Sequence, residues 1–316
     1  MTSKKITVIT PVHNEEACIE YFYDRFRKAV ASLRGRYDFE LLFINNASTD
    51  RTLDIILKLH EGDQSVKVIT QARNFGYQAS VVCGLTYAVG DAVVVIDVDC
   101  EDPPEMITDF VAQWELGYDI VYGERASRPE FFLIEWGRKA FYRLTRLIAD
   151  WEIVLDMAEF SLFNERVRRE ILRNRSTYPY VRGELGYVGF RRLGIPYKRQ
   201  VRAFGRTHYS MVRMAKFAIA GILTASTFPL RLIVYFAVPI VAIDAVALVV
   251  ALLPGYRPPM DALILLHLLY FSGALSALAI YLARVYKDGT QRPVFIVNPD
   301  KSIMPEGAKT NSAGAP

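Results

Sequence analysis

Gly90-Asp91-Ala92-Val93-Val94-Val95-Ile96-Asp97-Val98-Asp99 runs directly into Cys100-Glu101-Asp102-Pro103-Pro104. Val93 to Ile96 is a short apolar run rich in β-branched residues, the pattern of a central strand covered on both faces. In open α/β sheets, ligands gather at the carboxyl ends of such strands, so Asp97 and Asp99 fall where a bound group would sit. Carboxylates one residue apart offer hard oxygen ligands that could join a divalent cation to substrate phosphates. The pair could equally end the strand and cap the helix that Pro103-Pro104 starts. The stretch alone leaves both readings open.

On the N-terminal side, strand-like runs alternate with helical ones. The pattern predicts strands over Ile6 to Val12, Phe39 to Asn45, Val66 to Thr70 and Val93 to Asp97. It predicts helices near Glu15 to Leu33, Leu53 to His60, Gln78 to Val89 and Glu105 to Leu116. Such alternation is expected of a mostly parallel sheet with helices on both faces. Ser48-Thr49-Asp50 and Asp102-Pro103-Pro104 mark helix starts. No internal repeat is visible, and the Gly/Ala/Ser/Asn-rich tail after Pro305 is expected to be disordered.

The chain is 52% hydrophobic with a mean hydropathy of +0.15, high for a wholly soluble enzyme. The excess lies near the C-terminus. Pro229 to Leu253 and Ala262 to Ala283 are nearly unbroken apolar segments, each close to the ~20 residues that span a bilayer core. They read as a transmembrane hairpin, with two buried core helices as the alternative. Arg231 precedes the first span and Arg284 and Lys287 follow the second, against Arg257 in the loop, so both termini are expected on the cytosolic side. Asp244 and His267 fall within the spans. An ionised residue near the midplane costs roughly 2.5 to 3.5 kcal/mol on insertion scales, so a partner is expected: contact between the two is the prediction, with a neutral Asp244 paired within an oligomer, or a position nearer the interface, as the alternatives.

Lys4-Lys5 leads straight into Ile6-Thr7-Val8-Ile9, so no cleavable signal peptide is expected. Cys18, Cys83 and Cys100 lack paired spacing and suit reduced thiols. The formal charge of +4 is mild, and no basic tract is dense enough to suggest nucleic acid. Phe131 to Ile148 mixes Phe132, Ile134, Trp136, Phe141, Leu144 and Ile148 with Arg138, Lys139, Arg143 and Arg146, the composition of a basic helix at a membrane interface. Tyr209 to Thr227, with Arg213 and Lys216, is a second such candidate. Either could instead be a core helix with a solvated basic face.

Several short motifs, in order, resemble those of the family-two glycosyltransferases that load a sugar onto a polyprenyl phosphate, the bactoprenol glucosyltransferases and dolichyl-phosphate mannose synthases. Pro11-Val12-His13-Asn14-Glu15 matches the opening Pro-x-x-Asn-Glu, and Arg73-Asn74-Phe75-Gly76 matches Arg-Asn-x-Gly. The D-x-D and Asp-Pro-Pro follow, then Tyr122-Gly123-Glu124-Arg125. Later come Arg182-Gly183, Gly189-Phe190, Tyr197-x-Arg199-x-x-Arg202 and Pro229-Leu230-Arg231. Arg284-Val285-Tyr286 and Arg292-Pro293-Val294-Phe295-Ile296-Val297 close the series.

The resemblance implies a GT-A, Rossmann-like α/β fold with a mostly parallel sheet and interfacial amphipathic helices, followed by the two-helix transmembrane hairpin. The expected organisation is a cytosolic catalytic domain over 1–227, with interfacial helices near 131–149 and 209–227. Spans near 229–253 and 262–283 lie within 228–284, and a cytosolic tail covers 285–316. The implied reaction is inverting, metal-dependent hexosyl transfer from a nucleotide diphosphate sugar to undecaprenyl or another polyprenyl phosphate at the cytosolic face of a bacterial inner membrane. UDP-glucose or UDP-N-acetylhexosamine is the expected donor. The alternatives are a GDP-mannose-dependent mannose synthase and a membrane-anchored sugar-nucleotide-binding protein without catalysis. A homo-oligomer is expected, with no nucleic-acid partner.

The resemblance also assigns residues. Asp97, Asp99 and Asp102 would be catalytic, with Asp99 and Asp97 holding Mg2+ or Mn2+. Asp102 resembles the position that faces the donor sugar, although it could simply cap a helix. Pro11, Asn14, Glu15, Asn45 and Arg73 would line the nucleotide and diphosphate pocket. Arg125, Arg199, Arg202 and His208 are candidates for the acceptor phosphate, since guanidinium forks match phosphate oxygens. Three departures stand out: Asn45-Asn46-Ala47-Ser48 replaces Asp-Asp-Gly-Ser, Thr207-His208-Tyr209 replaces Ser-Lys-Tyr, and Ala158-Glu159-Phe160-Ser161 replaces Gly-Asp-Phe-Arg. Imidazole in place of an ammonium would make acceptor binding fall as pH rises.

Overall fold

The computed structural model describes residues 3–125, 143, 148–150, 154, 157–201, 226–255 and 257–308. The chain divides into two compact units, one of residues 1–137, 153–210 and 293–316, the other of 138–152 and 211–292. The expected interfacial helices near 131–149 and 209–227, and the terminal tail from 309, lie almost wholly outside the described residues.

In the first unit, β1 (Lys4–Val12), β2 (Tyr37–Asn45), β3 (Val66–Gln71) and β4 (Ala92–Val95) alternate with α1 (Ile19–Val30), α2 (Thr52–Gly62) and α3 (Tyr77–Tyr87). A single turn of 3-10 helix (Pro104–Met106) leads into α4 (Ile107–Glu115). Then follow β5 (Ile120–Arg125), β6 (Met157–Asn164), α5 (Glu165–Arg173), α6 (Val181–Tyr187) and β7 (Arg192–Tyr197). The strands form one sheet in the order β7-β5-β6-β4-β1-β2-β3-β8, with β8 at Val297–Ile303. β4, β1, β2 and β3 are mutually parallel, as are β5 and β7, whereas β6 runs against both its neighbours and β8 against β3.

The continuous apolar runs reflect two covered faces. Along β4, Val94 and Ile96 face one core with Phe22, Phe43, Phe110 and Phe160, while Val93 and Val95 face the other with Val81, Leu85 and Phe163. Ile6 and Val8 of β1 join the first core, and Ile9 joins the second. A side-chain period of two therefore fills both cores from one run, and no polar face is left to produce alternation. The chain goes from β1 outward to β3, then crosses back to place β4 on the other side of β1. The ends of β1 and β4 thus flank a topological switch point, where open α/β sheets bind ligands.

β8 was not expected from the sequence. Its backbone pairs Thr70 with Asn298 and Gln71 with Val297. Ala72 N donates to Ile296 O at 2.8 Å, and Thr70 N to Ser302 Oγ at 2.9 Å. The three cysteines are buried, and no disulfide forms among the described residues.

The second unit contains α7 (Phe228–Leu252) and α8 (Met260–Gly289). Both are long and apolar enough to cross a membrane, with window hydropathies of 2.6 and 2.1 and almost none of that surface buried in the protein. At the base of α7, the Arg231 guanidinium donates to Ile148 O at 2.9 Å and to Asp150 at 2.8 Å. Tyr281 of α8 donates to Ser226 O at 2.7 Å.

The expected intrahairpin contact is present: His267 Nε2 lies 3.0 Å from Asp244 Oδ2. His267 Nδ1 lies 2.7 Å from the Leu263 carbonyl, an acceptor only, so Nδ1 carries a proton and a further proton must sit between Nε2 and the carboxylate. His267→Leu should strand the Asp244 carboxyl, whereas the double change Asp244→Leu/His267→Leu should recover most of the loss, because an apolar pair leaves nothing unsatisfied. The single substitution is expected to lower the midpoint of thermal unfolding of the detergent-solubilised protein. Equal losses in the single and double variants would contradict the pairing.

Candidate active site

The switch point is built from loops that tie one strand end to the next. After β1, Asn14 takes a left-handed conformation with φ 56°, which Asn tolerates better than most residues. Its backbone N donates to Ser48 Oγ at 3.0 Å, and its side-chain oxygen accepts from Thr49 N at 2.8 Å. Glu15 N donates to Thr52 Oγ1 at 2.9 Å. Pro11 is buried at the end of β1. Asn14 therefore anchors the loop after β2 through both main chain and side chain, and the half-buried Glu15 through its main chain.

Asn45 and Asn46 are 1% and 5% exposed. The Asn45 amide accepts from Ser48 N at 3.0 Å and donates to Thr70 Oγ1 at 3.3 Å. Both ends of its amide thus have a partner, one in the loop and one on β3, leaving one N–H and one lone pair of the amide. Asn46 donates to Asn74 Oδ1 at 3.0 Å and accepts from Phe75 N at 2.8 Å. His13 closes the set, with Nδ1 at 3.0 Å from Asn46 O and Nε2 at 3.2 Å from Asn74 Nδ2. Arg73 is exposed, stacked 3.9 Å above the Phe75 ring.

The carboxylates meet at the end of β4. Asp97 Oδ1 accepts from the Tyr77 hydroxyl at 2.7 Å, and Asp99 Oδ1 from Glu101 N at 3.0 Å. Cys100 between them has φ 56°, which turns the chain so that Asp102 points inward, 1% exposed. Burial first, then the charges of Asp99 and Asp102, push the Asp97 carboxyl up to about 7. Glu159 of β6 is the third carboxyl to act on Asp97. It accepts from Gln78 Nε2 at 3.2 Å; burial raises its pKa, against the opposing pull of Arg182.

Cations border the cluster. Arg125 lies 3.8 Å and Arg199 3.6 Å from Asp102, and Arg199 pairs with Glu101 at 2.7 Å. The Tyr197 hydroxyl donates to Asp102 Oδ1. Arg182 reaches the Tyr180 hydroxyl at 2.7 Å and Met157 O at 3.2 Å.

The structure thus brings Asp97, Asp99, Asp102, Arg125 and Arg199 to one crevice. Pro11, Asn14, Glu15, Asn45 and Arg73 stand along its β1–β3 side. Arg202 and His208 lie outside the described residues. Tyr77, Gln78, Glu159, Arg182 and Tyr197 were missed by the sequence reading, although Arg182, Glu159 and Tyr197 all stand in the quoted motif regions. Among the described residues, no group of three or more His, Cys, Asp or Glu forms a ready metal cage. Asp97 and Asp99 do supply hard oxygens that repel one another, which suits a cation whose remaining ligands come from water or a substrate phosphate.

An open α/β sheet of this order, with an aspartate pair ending the strand beside β1, defines a GT-A fold. The chain belongs to the glycosyl transferase family 2, whose model matches residues 7–172, and it is a glycosyltransferase. It is 33% identical over 310 residues to the Bacillus subtilis protein named Uncharacterized glycosyltransferase YkcC, covering 94% of each chain. It is 31% identical over 314 residues to the Bactoprenol glucosyl transferase of Shigella phage SfV, covering 94% of this chain and 99% of that one. Glucosyl-3-phosphoglycerate synthase from Mycobacterium tuberculosis, solved with Mn2+, UDP and phosphoglyceric acid, is 20% identical with a TM-score of 0.49, over 70% of this chain and 78% of that one.

The raised Asp97 value has a definite sign. Because the folded value of about 7 exceeds the ordinary ~3.9, the Asp97 contribution to stability is complete below the unfolded value and is lost as pH rises through about 7. Asp97→Asn should therefore unfold at a higher temperature than the wild type near pH 8 in metal-free buffer, and the gap should close near pH 4. A gap independent of pH, measured by thermal denaturation across that range, would remove this account of burial reinforced by like charge.

Proposed function

We propose that the protein transfers a hexosyl group from a nucleotide diphosphate sugar to a polyprenyl phosphate, with inversion at the anomeric carbon, at the cytosolic face of a bacterial membrane. The observation that carries this reading is the crevice itself: carboxylates at the end of β4 bordered by Arg125 and Arg199. The first side suits a metal-bridged diphosphate, and the second suits an acceptor that is already an anion.

The chemistry follows from what each half needs. A phosphate acceptor is ionised at neutral pH, so the site requires no strong base to create a nucleophile. The barrier lies in the negative charge that builds on the departing nucleotide diphosphate. Mg2+ or Mn2+ held by Asp99 and Asp97 would supply the neutralising charge. Pro11, Asn14, Glu15 and Asn45 shape the nucleotide pocket, with Asn45 acting through the Ser48 turn, and Arg73 reaches toward the diphosphate. Asp102 faces the sugar. Arg125 and Arg199, together with Arg202 and His208, orient the acceptor phosphate. α7 and α8 form a transmembrane pair with both chain ends in the cytosol, which holds the enzyme where a lipid-linked phosphate is found.

UDP-glucose is the favoured donor, supported by the bactoprenol glucosyl transferase relatives of Shigella phage SfV and Escherichia coli at 31% identity, with UDP-N-acetylhexosamine next. The purified full chain, given Mn2+, undecaprenyl phosphate and a panel of nucleotide sugars, should yield one glycolipid detectable by mass spectrometry. Asp99→Ala should lower its formation by ~100-fold or more, the scale expected when a main electrostatic stabiliser of the leaving group is lost. Turnover retained in Asp99→Ala would take Asp99 out of that role, and no product with any donor would reject the reaction.

A further inference from the structure

We infer that Tyr197 is a positioning residue for Asp102, and that Gly123 exists without a side chain so that Tyr197 can reach it. The inference rests on the proposed reaction only in giving Asp102 a place facing the sugar.

Among the described residues, Tyr197, Arg125 and Arg199 approach the buried Asp102 carboxylate, and distance separates them. Arg125 and Arg199 stand 3.8 Å and 3.6 Å away, beyond the roughly 2.7 to 3.2 Å of an N–H···O hydrogen bond. Among the described residues, Asp102 Oδ2 and Arg199 Nε are both buried without any hydrogen-bond partner. The arginines therefore balance charge without fixing direction. Among the described residues, the Tyr197 hydroxyl alone makes a hydrogen bond to Asp102, and it does so at Oδ1. A hydrogen bond to a charged acceptor is directional, so the rotamer of Asp102 is set by Tyr197.

The placement of Tyr197 depends on β5. The two strands are parallel, with Gly123 opposite Ile195 and Arg125 opposite Tyr197. A methyl group on Gly123 would lie 2.7 Å from Tyr197 Cε1 and 3.2 Å from Cδ1. The ring thus lies across the bare Gly123 backbone, 7% exposed. Arg125, two residues on and therefore on the same face of β5, brings Nε to 3.5 Å from the Tyr197 hydroxyl. The glycine and arginine of Tyr122-Gly123-Glu124-Arg125 serve one purpose on this reading: the first admits the ring and the second steadies its hydroxyl.

This arrangement also separates the two duties of the site. Arg199 is shared between Asp102 and Glu101, the latter at 2.7 Å. An acceptor phosphate that draws Arg125 and Arg199 toward itself takes countercharge away from Asp102. Tyr197 carries no charge for that phosphate to attract, so it keeps the carboxylate in place during the exchange.

The test uses the full chain in detergent or lipid with Tyr197→Phe, Gly123→Ala and the double variant. Tyr197→Phe should lower kcat by about 10- to 100-fold, the range for losing a hydrogen bond to a charged group. Donor KM and the unfolding temperature should stay near those of the wild type. Gly123→Ala should reproduce the loss, and the double variant should be no worse than Tyr197→Phe, because both changes remove the same contact. Wild-type kcat in Tyr197→Phe overturns the inference, as do losses that multiply in the double variant. In parallel, the 13C carboxyl resonance of Asp102, assigned by its disappearance in Asp102→Asn, should move in Tyr197→Phe. If the wild type makes no glycolipid, the proposed reaction fails and this resonance decides the inference alone: a shift supports it, an unmoved signal overturns it.

Discussion

Mutual repulsion among carboxylates at the end of β4 is the constraint around which the first unit is organised. Asp97 is under the combined field of Asp99, Asp102 and Glu159, and Asp102 is buried. Charges so placed would turn toward water if their backbones allowed it. They are prevented because each is mounted on a rigid support: a strand buried on both faces, the turn leading into Pro104–Met106, and β6. The surrounding donors complete the restraint. Tyr77 holds Asp97, Gln78 holds Glu159, and Tyr197 holds Asp102, while guanidinium groups balance charge from a short distance. Hydrogen bonds and countercharges of this kind are what make a buried carboxylate tolerable.

The parts of the fold legible in the sequence are those where one physical cause dominated. β1 to β4 and their helices could be read because double-sided burial leaves continuous apolar runs, and α7 and α8 because helices long and apolar enough to cross a membrane stand out in composition. β8 failed that test. Val297-Asn298-Pro299-Asp300-Lys301-Ser302-Ile303 has an exposed middle and reads as a turn. It is a strand because β3 offers an open edge, and its proline is acceptable only there. Its registry is set by backbone partners and by Ser302, none of which leaves a pattern in composition.

The candidate site divides in the same way. Asp97, Asp99 and Asp102 were visible as carboxylates after a strand. Glu159 was not, because a lone glutamate within an apolar strand has no signature until β6 is seen beside β4. Tyr77 and Tyr197 resembled ordinary core aromatics, and only the position of their hydroxyls distinguishes them. Asn45 had the opposite fate. The resemblance placed it in the lining of the nucleotide pocket, and its amide is held in the fold by Ser48 at one end and Thr70 at the other.

Asn46 shows why the unusual Asn45-Asn46 pair is a structural solution and not an erosion of the site. Asn74 Oδ1 accepts from both Asn46 and Gly76 N, and Asn74 donates onward to His13. A carboxylate at position 46 could still accept from Phe75 N, but it could not donate to Asn74, and its oxygen would face another acceptor. The amide is therefore matched to Asn74 and His13 as a set. Its second effect is electrostatic. With amides instead of carboxylates at positions 45 and 46, these two residues add no negative charge beside β1. For the proposed donor, the approach past Arg73 meets neutral amides there before the diphosphate reaches Asp97 and Asp99, where a divalent ion would reverse the sign of the field.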